Sequence, residues 1–166
     1  MVRCNTSVVS VGRLTAALAA LLALVVVLAG CGGDAPRHPS LSSVPLVPGG
    51  QVVVRANACD AGANAYCALD LVLVNPRFKS SEELVTNERR WLKHNRWLLV
   101  SAQTGDEQSA DSPGGRIRVT FSTPLLDLRD IELGWIKRPR PIALALSRAI
   151  YDGSAAMSVN VVAGPS

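Results

Sequence analysis

The sequence contains few histidines and none of the short motifs that mark common enzyme classes. Only two of its 166 residues are histidine. The patterns GxSxG, GxGxxG and HExxH and the phosphate-binding P-loop do not occur. The chain therefore carries no signature of an α/β-hydrolase, of a dinucleotide-binding or P-loop fold, or of an HExxH protease. This absence shifts the expectation from catalysis towards binding, without a metal or a cofactor.

Charge is also scarce, and it is unevenly distributed along the chain. Charged residues make up 18% of the sequence and the mean hydropathy is +0.24, which excludes a disordered protein. An uncharged apolar run covers residues 14–28, behind Arg3 and Arg13. On a helix this run would rise about 22 Å, less than the ~30 Å hydrocarbon core of a bilayer. Residues 1–30 are therefore interpreted as a signal peptide.

The apolar run ends in a short motif, Leu28-Ala29-Gly30-Cys31. Behind a signal peptide, this motif resembles the lipobox of bacterial lipoproteins. The resemblance implies that the signal is cut before Cys31 and that diacylglycerol on Cys31 holds the protein on the cell membrane, with its domain outside the cytoplasm. The alternative is an ordinary secretory signal followed by a chance cysteine. The bias of 14 Arg over three Lys, with abundant Ala and Val, resembles actinobacterial lipoproteins in style.

Cleavage before Cys31 would change the charge of the protein. It would remove Arg3 and Arg13 but no acidic residue, so the excess of basic over acidic side chains would fall from +4 to +2. An excess this small does not favour nucleic-acid binding. Residues 31–50 hold four Pro, four Gly and three Ser and predict an extended linker. Residues 51–166 are long enough for a single domain.

Two cysteines, Cys59 and Cys67, belong to the domain. Outside the reducing cytosol, cysteines this close in sequence are expected to form a disulfide. A metal-binding pair is the rival interpretation, but the spacing is not CxxC and no histidine is near. The sequence therefore predicts a disulfide and no metal site.

Hydrophobic periodicity predicts the elements of the domain. Two β-branched runs, at 52–58 and 66–74, suggest a hairpin. Ser80 and Glu83 have capping-box spacing and predict a helix that ends near His94. The remaining elements are predicted as an inner strand at 97–103, a polar loop at 104–115, a half-buried strand at 116–121, an irregular segment at 124–140, a helix at 141–151 and a strand at 156–162.

From residue 66 onward the predicted order is β-α-β-β-α-β. This order is typical of an α+β fold in which an antiparallel sheet carries two helices on one face, as in the ferredoxin-like sandwich. The strand at 52–58 does not fit that topology, because the first ferredoxin-like strand already has a neighbour on each side. Two alternatives follow: a ferredoxin-like fold in which residues 52–58 do not pair, or a variant with an extra N-terminal strand.

The first predicted helix carries a carboxylate within its apolar stripe. At 100° per residue Leu84, Val85, Trp91 and Leu92 share one face, and Glu88 falls among them. A buried, unpaired carboxylate costs several kcal/mol. Glu88 is therefore expected either to pair with an arginine or to lie at the edge of a binding pocket.

The opposite face of this helix is basic, with Arg89, Arg90, Lys93 and His94 followed by Arg96. One interpretation is a solvated surface, and the other is a patch for anionic lipid headgroups or envelope polymers. A Ser-His-Asp enzyme would have to use His94, the only histidine of the domain. The polar face of a helix is a poor place for such a catalytic group.

A second candidate surface follows from the C-terminal third. Trp135 lies in a connector with three cations and is expected to cap the core. The predicted helix at 141–151 has an apolar stripe made of Ile142, Leu146, Ala149 and Ile150. Leu144 and Tyr151 point elsewhere, so either the connector or a partner protein is expected to cover them.

Three functions of different classes are compatible with these features. The first is a lipid-anchored envelope protein that binds an envelope protein or an anionic polymer without catalysis. The second is a small-ligand or lipid binder, which requires an apolar cavity next to Glu88 or Trp91. The third is an enzyme, which requires Glu88 or His94 within hydrogen-bond reach of a second polar group in a cleft.

Overall fold

The computed structural model describes residues 39–59, 67–100, 108–132 and 138–163, which form a six-stranded antiparallel sheet with three helices. The strands are β1 Gln51–Cys59, β2 Cys67–Val74, β3 Leu98–Val100, β4 Gln108–Asp111, β5 Ile117–Ser122 and β6 Ala156–Ala163. The helices are α1 Ser81–His94, α2 Pro124–Glu132 and α3 Arg140–Tyr151. The predicted α+β class is confirmed.

The strand order is β1-β2-β6-β5-β4-β3. The predicted hairpin is confirmed, since β1 pairs antiparallel with β2 and Cys59 lies opposite Cys67. The predicted disulfide joins these two cysteines. Strand β1 occupies one edge of β2. The last strand, β6, occupies the other edge of β2 and lies between β2 and β5. This order differs from the ferredoxin-like one and matches the alternative with an extra N-terminal strand.

The sequence predicts helices that share one face of the sheet. The helices of the structure do not share one face. Leu71 of β2 packs in the cluster that includes Leu84 and Leu92 of α1. Its neighbour Val72 packs with Leu146 of α3 in a separate cluster. Successive strand residues point to opposite faces, so α1 and α3 cover opposite sides. The continuous apolar run of β2 reflects burial on both faces.

Two elements appear where the sequence predicts none. Helix α2 lies in the segment expected to be irregular because of its prolines. Those prolines are at helix starts instead: Pro124 opens α2, and Pro139 and Pro141 flank the first residue of α3. A proline in the first turn costs no helix hydrogen bond. Strand β4 lies in the predicted polar loop, between β3 and β5.

The predicted inner strand at 97–103 is an edge strand. Within the described residues of this segment, Leu98–Val100 form β3, which pairs with β4 at the end of the sheet; residues 101–103 lie outside the described ranges. Leu98 is 70% exposed. An apolar run bounded by turn residues does not distinguish a central strand from an edge strand, because the strand order decides which neighbours cover it.

The second half of the predicted linker belongs to the domain. Residues 39–50, which we call the N-terminal strap, bury Val44 and Val47 in the core on the α1 side. The Pro48 carbonyl accepts a hydrogen bond from Asn75 Nδ2 at 3.2 Å. The domain therefore begins before residue 51, and residues 31–38 lie outside the described ranges.

The ends of α1 follow from local sequence. Ser80 Oγ accepts a hydrogen bond from the Glu83 N–H at 3.2 Å, as the capping-box spacing predicts, and Glu83 Oε2 accepts one from the Lys79 N–H at 2.9 Å. The helix ends at His94, and Arg96 has a φ of 65°. That left-handed conformation is one that glycine adopts with least strain.

Replacing Arg96 with glycine is expected to raise the free energy of unfolding by about 0.5–1 kcal/mol, since it removes the clash of a Cβ in the left-handed region. Gly153 provides the matched control, because it has a φ of 64° and open space around an added Cβ. Gly153→Ala should destabilise by a similar amount. Urea unfolding of both variants measures the two changes, and changes of the same sign would contradict the assignment of backbone strain.

Within the described residues, no helix is long and apolar enough to cross a membrane.

Candidate functional site

Glu88 is buried, and among the described residues it has no arginine partner. Its side chain is 1% exposed, and Oε2 accepts a hydrogen bond from the Val47 N–H of the strap at 2.8 Å. Its other oxygen, Oε1, has no hydrogen-bond partner. The pKa of Glu88 is raised to about 7. Burial raises this pKa, and the hydrogen bond from Val47 offsets a smaller part of the increase. In place of the expected arginine, a backbone N–H supplies the contact, and the alternative that Glu88 lies at the edge of a pocket stays a prediction.

The rest of the apolar stripe is largely as predicted. Leu84, Val85 and Leu92 are buried, while Trp91 is half-buried and its Nε1 is enclosed without a partner. The Trp91 ring stacks on the imidazole of His94, with 5.7 Å between ring centroids. His94 is itself exposed. Glu88 is therefore enclosed while His94 lies at the surface, so the two side chains are in different environments.

The basic face of α1 is exposed to solvent. Arg89, Arg90 and Lys93 are all exposed, as are His94 and Arg96 at the end of the helix. These exposures agree with the interpretation of this face as a solvated surface. The hypothesis that these cations contact anionic headgroups or polymers stays a prediction.

Exposed apolar side chains concentrate on α3. Leu144 is 60% exposed and Tyr151 is 92% exposed, so both point away from the core, as the sequence indicates. Ile150 was expected inside but is also largely exposed. Trp135, the residue expected to cap the core nearby, lies outside the described ranges. The described residues leave an apolar surface on this helix.

A groove of about 540 Å³ runs between α3 and β1. Its walls include Val53 and Val54 of the strand and Leu144, Ala145 and Arg148 of the helix. It lies on the face of the sheet opposite α1, since Val54 packs in the cluster of Val72 and Leu146. The cavity that a small-ligand binder requires was expected next to Glu88 or Trp91, on the other face.

A buried polar network that the sequence did not predict lies on the α3 side of the sheet. Arg138 contacts two carboxylates: its NH2 lies 2.7 Å from Asp127 Oδ1, and its NH1 lies 3.3 Å from Asp70 Oδ1. Asn160 Nδ2 donates to Asp70 Oδ1 at 2.8 Å, and Ser158 Oγ donates to Asp127 Oδ1 at 2.9 Å. Both carboxylates therefore have a charged donor and a neutral donor.

One signal of this network was present in the sequence. Asp70 lies in the middle of the apolar run CALDLVLV, where a carboxylate must be buried with a partner. Its partner Arg138 lies 68 residues away, in a segment without regular structure. Because its hydrogen bonds are satisfied, we interpret this network as a tie that holds the segment before α3 against β2 and β6, rather than as a reactive centre.

Metal ligation has little support in the part of the chain that the structure describes, where no group of three or more His, Cys, Asp or Glu residues could hold an ion. No protein-family model matches the chain, and comparison with curated proteins and with solved structures gives no match. The function is therefore inferred from the residues of this chain.

Proposed function

We propose that this protein is a lipid-anchored lipoprotein of the cell envelope that binds another envelope component and does not itself catalyse a reaction. The observation that carries the binding role is the groove beside α3, where the exposed Leu144 lines one wall, together with the exposed Ile150 and Tyr151 elsewhere on the same helix. Apolar side chains grouped at a groove are typical of interaction sites.

The lipid anchor is supported by the motif at residues 28–31 and by its place behind an apolar signal. The Cys59–Cys67 disulfide agrees with an oxidising compartment, as an extracytoplasmic domain requires. The proposed localisation is the outer side of the cell membrane, with the membrane as the first partner.

A Cys31→Ala substitution tests the anchor. In a bacterial host with a lipoprotein-processing pathway, we expect the unaltered protein in the membrane fraction and in the detergent phase after phase separation. Cys31→Ala should lose the diacylglycerol, whose acyl chains contribute about 0.8 kcal/mol of membrane binding per buried methylene. Mass spectrometry of the amino-terminal peptide identifies the lipid directly.

The control is the double variant Cys59→Ala, Cys67→Ala, which lacks the disulfide but keeps Cys31 and should stay in the membrane. Unaltered protein whose amino-terminal peptide carries no diacylglycerol, or does not begin at Cys31, would contradict the proposal.

The groove favours a second candidate function. Its volume falls in the range of about 300–1,000 Å³ that small-molecule sites occupy. A small apolar ligand could use the walls formed by Val53, Val54 and Leu144, with Arg148 and Asp152 at the polar end. The enzyme hypothesis has less support, because Glu88 contacts a backbone N–H under the strap and His94 contacts a tryptophan ring.

A further inference from the structure

The sheet ends in a long strand whose outer edge is not paired with any described residue. β1 is the terminal strand and spans nine residues, whereas β3 at the other end spans three. A register shift between Val52 and Val54 interrupts the first part of β1. From Val54 to Ala58 the pairing with β2 is regular. Unpaired N–H and C=O groups along such a stretch can pair with a further strand.

The α3 groove lies directly beside this edge. Val54 and Ala56 point to the α3 side of the sheet, where they pack with the cluster of Val72 and Leu146. Arg55 lies between them and points to the other face. A strand added to β1 would place the side chains opposite Val54 and Ala56 on the groove side, and the side chain opposite Arg55 on the other. The groove therefore accepts every second residue of an extended segment.

Basic side chains lie on this strand and on the helix beside it. Arg55 is exposed at the centre of β1, and Arg140 and Arg148 are exposed on α3. Arg148 lies 3.4 Å from Asp152, the acidic residue of the groove wall. Neither Arg55 nor Arg140 has an ion-pair partner within the described residues, so this surface favours acidic ligands.

We propose that β1 and the α3 groove bind an extended segment of a partner protein, which adds to the sheet as a seventh strand and alternates acidic with apolar residues. The acidic residue lies opposite Arg55, and the apolar residues enter the groove opposite Val54 and Ala56. This inference rests on the proposed function, because it names the chemistry of the envelope component that the protein binds. Strand addition supplies backbone hydrogen bonds, and alternate side chains supply specificity.

A second copy of this chain is a poorer occupant of the same edge. Residue 55 is the midpoint of Gln51–Cys59. Symmetric antiparallel pairing of two full-length β1 strands would place Arg55 of one copy opposite Arg55 of the other. Like charges directly opposite each other destabilise a strand pair. The charge at the centre of β1 therefore selects a partner of different sequence.

Fluorescence anisotropy with two labelled nonapeptides tests the proposal on the detergent-solubilised full-length protein. One peptide alternates valine with glutamate, and the other alternates valine with lysine. We expect the glutamate peptide to bind about fivefold more tightly or better, since one cross-strand ion pair replaces a like-charge contact. Arg55→Glu should reverse this preference, and Leu144→Asp should abolish binding of both peptides.

Leu98→Asp is the matched control. It introduces the same charge at an equally exposed leucine on the other edge strand, and it should leave peptide binding unchanged. Thermal unfolding of each variant shows whether the fold is intact. If Leu144→Asp abolishes peptide binding and Leu98→Asp does not, the loss is due to the change in the groove and not to the added charge in general.

Four results would overturn the proposal. They are the failure of both peptides to bind, equal binding of the two peptides by unaltered and Arg55→Glu protein, a concentration-dependent dimer that Leu144→Asp dissolves, and displacement of the glutamate peptide by a fluorescent fatty acid that binds more tightly. The proposed membrane anchor is tested separately through Cys31, so these results do not depend on its outcome.

Discussion

Replacement of Arg138 with alanine is expected to lower the free energy of unfolding by about 3–5 kcal/mol, which would leave much of a domain of this size unfolded in mild urea. The guanidinium is only 12% exposed and lies between Asp127 and Asp70. Without it, two carboxylates that are almost wholly enclosed lose their charged donor. Asn160 and Ser158 would still donate one hydrogen bond to each, but neutral donors do not compensate a buried charge.

The chain offers a matched surface pair as a control. Arg118 contacts Asp111 with two hydrogen bonds of 2.8 and 2.9 Å and lowers the pKa of that carboxyl, but it is largely exposed. Arg118→Ala should cost less than about 1 kcal/mol, because solvent screens the pair.

Urea unfolding followed by circular dichroism measures both losses with the disulfide intact. If Arg138→Ala cost no more than Arg118→Ala, the buried network would not hold the segment before α3. Arg138→Lys should fall between the two, since lysine keeps the charge but not the planar fork that contacts both carboxylates.

The elements that sequence alone predicted correctly are those decided by nearby residues. The Ser80 cap of α1, the Cys59–Cys67 hairpin and the end of α3 depend on residues within eight positions of one another. Local periodicity also showed that Leu144 and Tyr151 lie off the buried stripe of α3. These features need no knowledge of the strand order.

The errors concern pairings between residues that are distant in sequence. The apolar run of β2 is compatible with burial by helices on one face or on both, and the run itself does not reveal that α1 and α3 pack on its two faces. The partner of Glu88 is 41 residues away in a segment whose composition predicts a linker. Its contact is a backbone N–H, which any residue except proline provides, so no residue type in the sequence marks it.

The candidate binding site could be predicted only in part, because it combines residues that are close in sequence with residues that are distant. Helical spacing identified the exposed side chains of α3, but the groove also needs Val53 and Val54 of β1, about 90 residues earlier in the chain. The sequence analysis recognised β1 as one strand of a hairpin. That β1 is also an edge strand, with Arg55 at its centre, follows only from the order of all six strands.

The buried Glu88 should make the stability of the domain fall as pH rises. Burial raises its pKa from 4.5 to about 7, so the folded state binds the proton more tightly than the unfolded state does. The resulting stabilisation is fully present below about pH 4.5 and is lost as pH rises through 7. A shift of this size corresponds to about 3 kcal/mol between pH 4.5 and pH 8.

Glu88→Gln isolates this contribution, because its side-chain carbonyl can still accept the hydrogen bond from the Val47 N–H but the amide does not titrate. The difference between the unfolding free energies of unaltered and Glu88→Gln protein should change by about 3 kcal/mol from pH 4.5 to pH 8, in favour of the variant at high pH. The exposed Glu82 of the same helix is the control, and Glu82→Gln should leave the pH dependence as it is. Parallel curves for unaltered and Glu88→Gln protein would show that water reaches the carboxylate, and that the strap does not enclose it as the Val47 contact indicates.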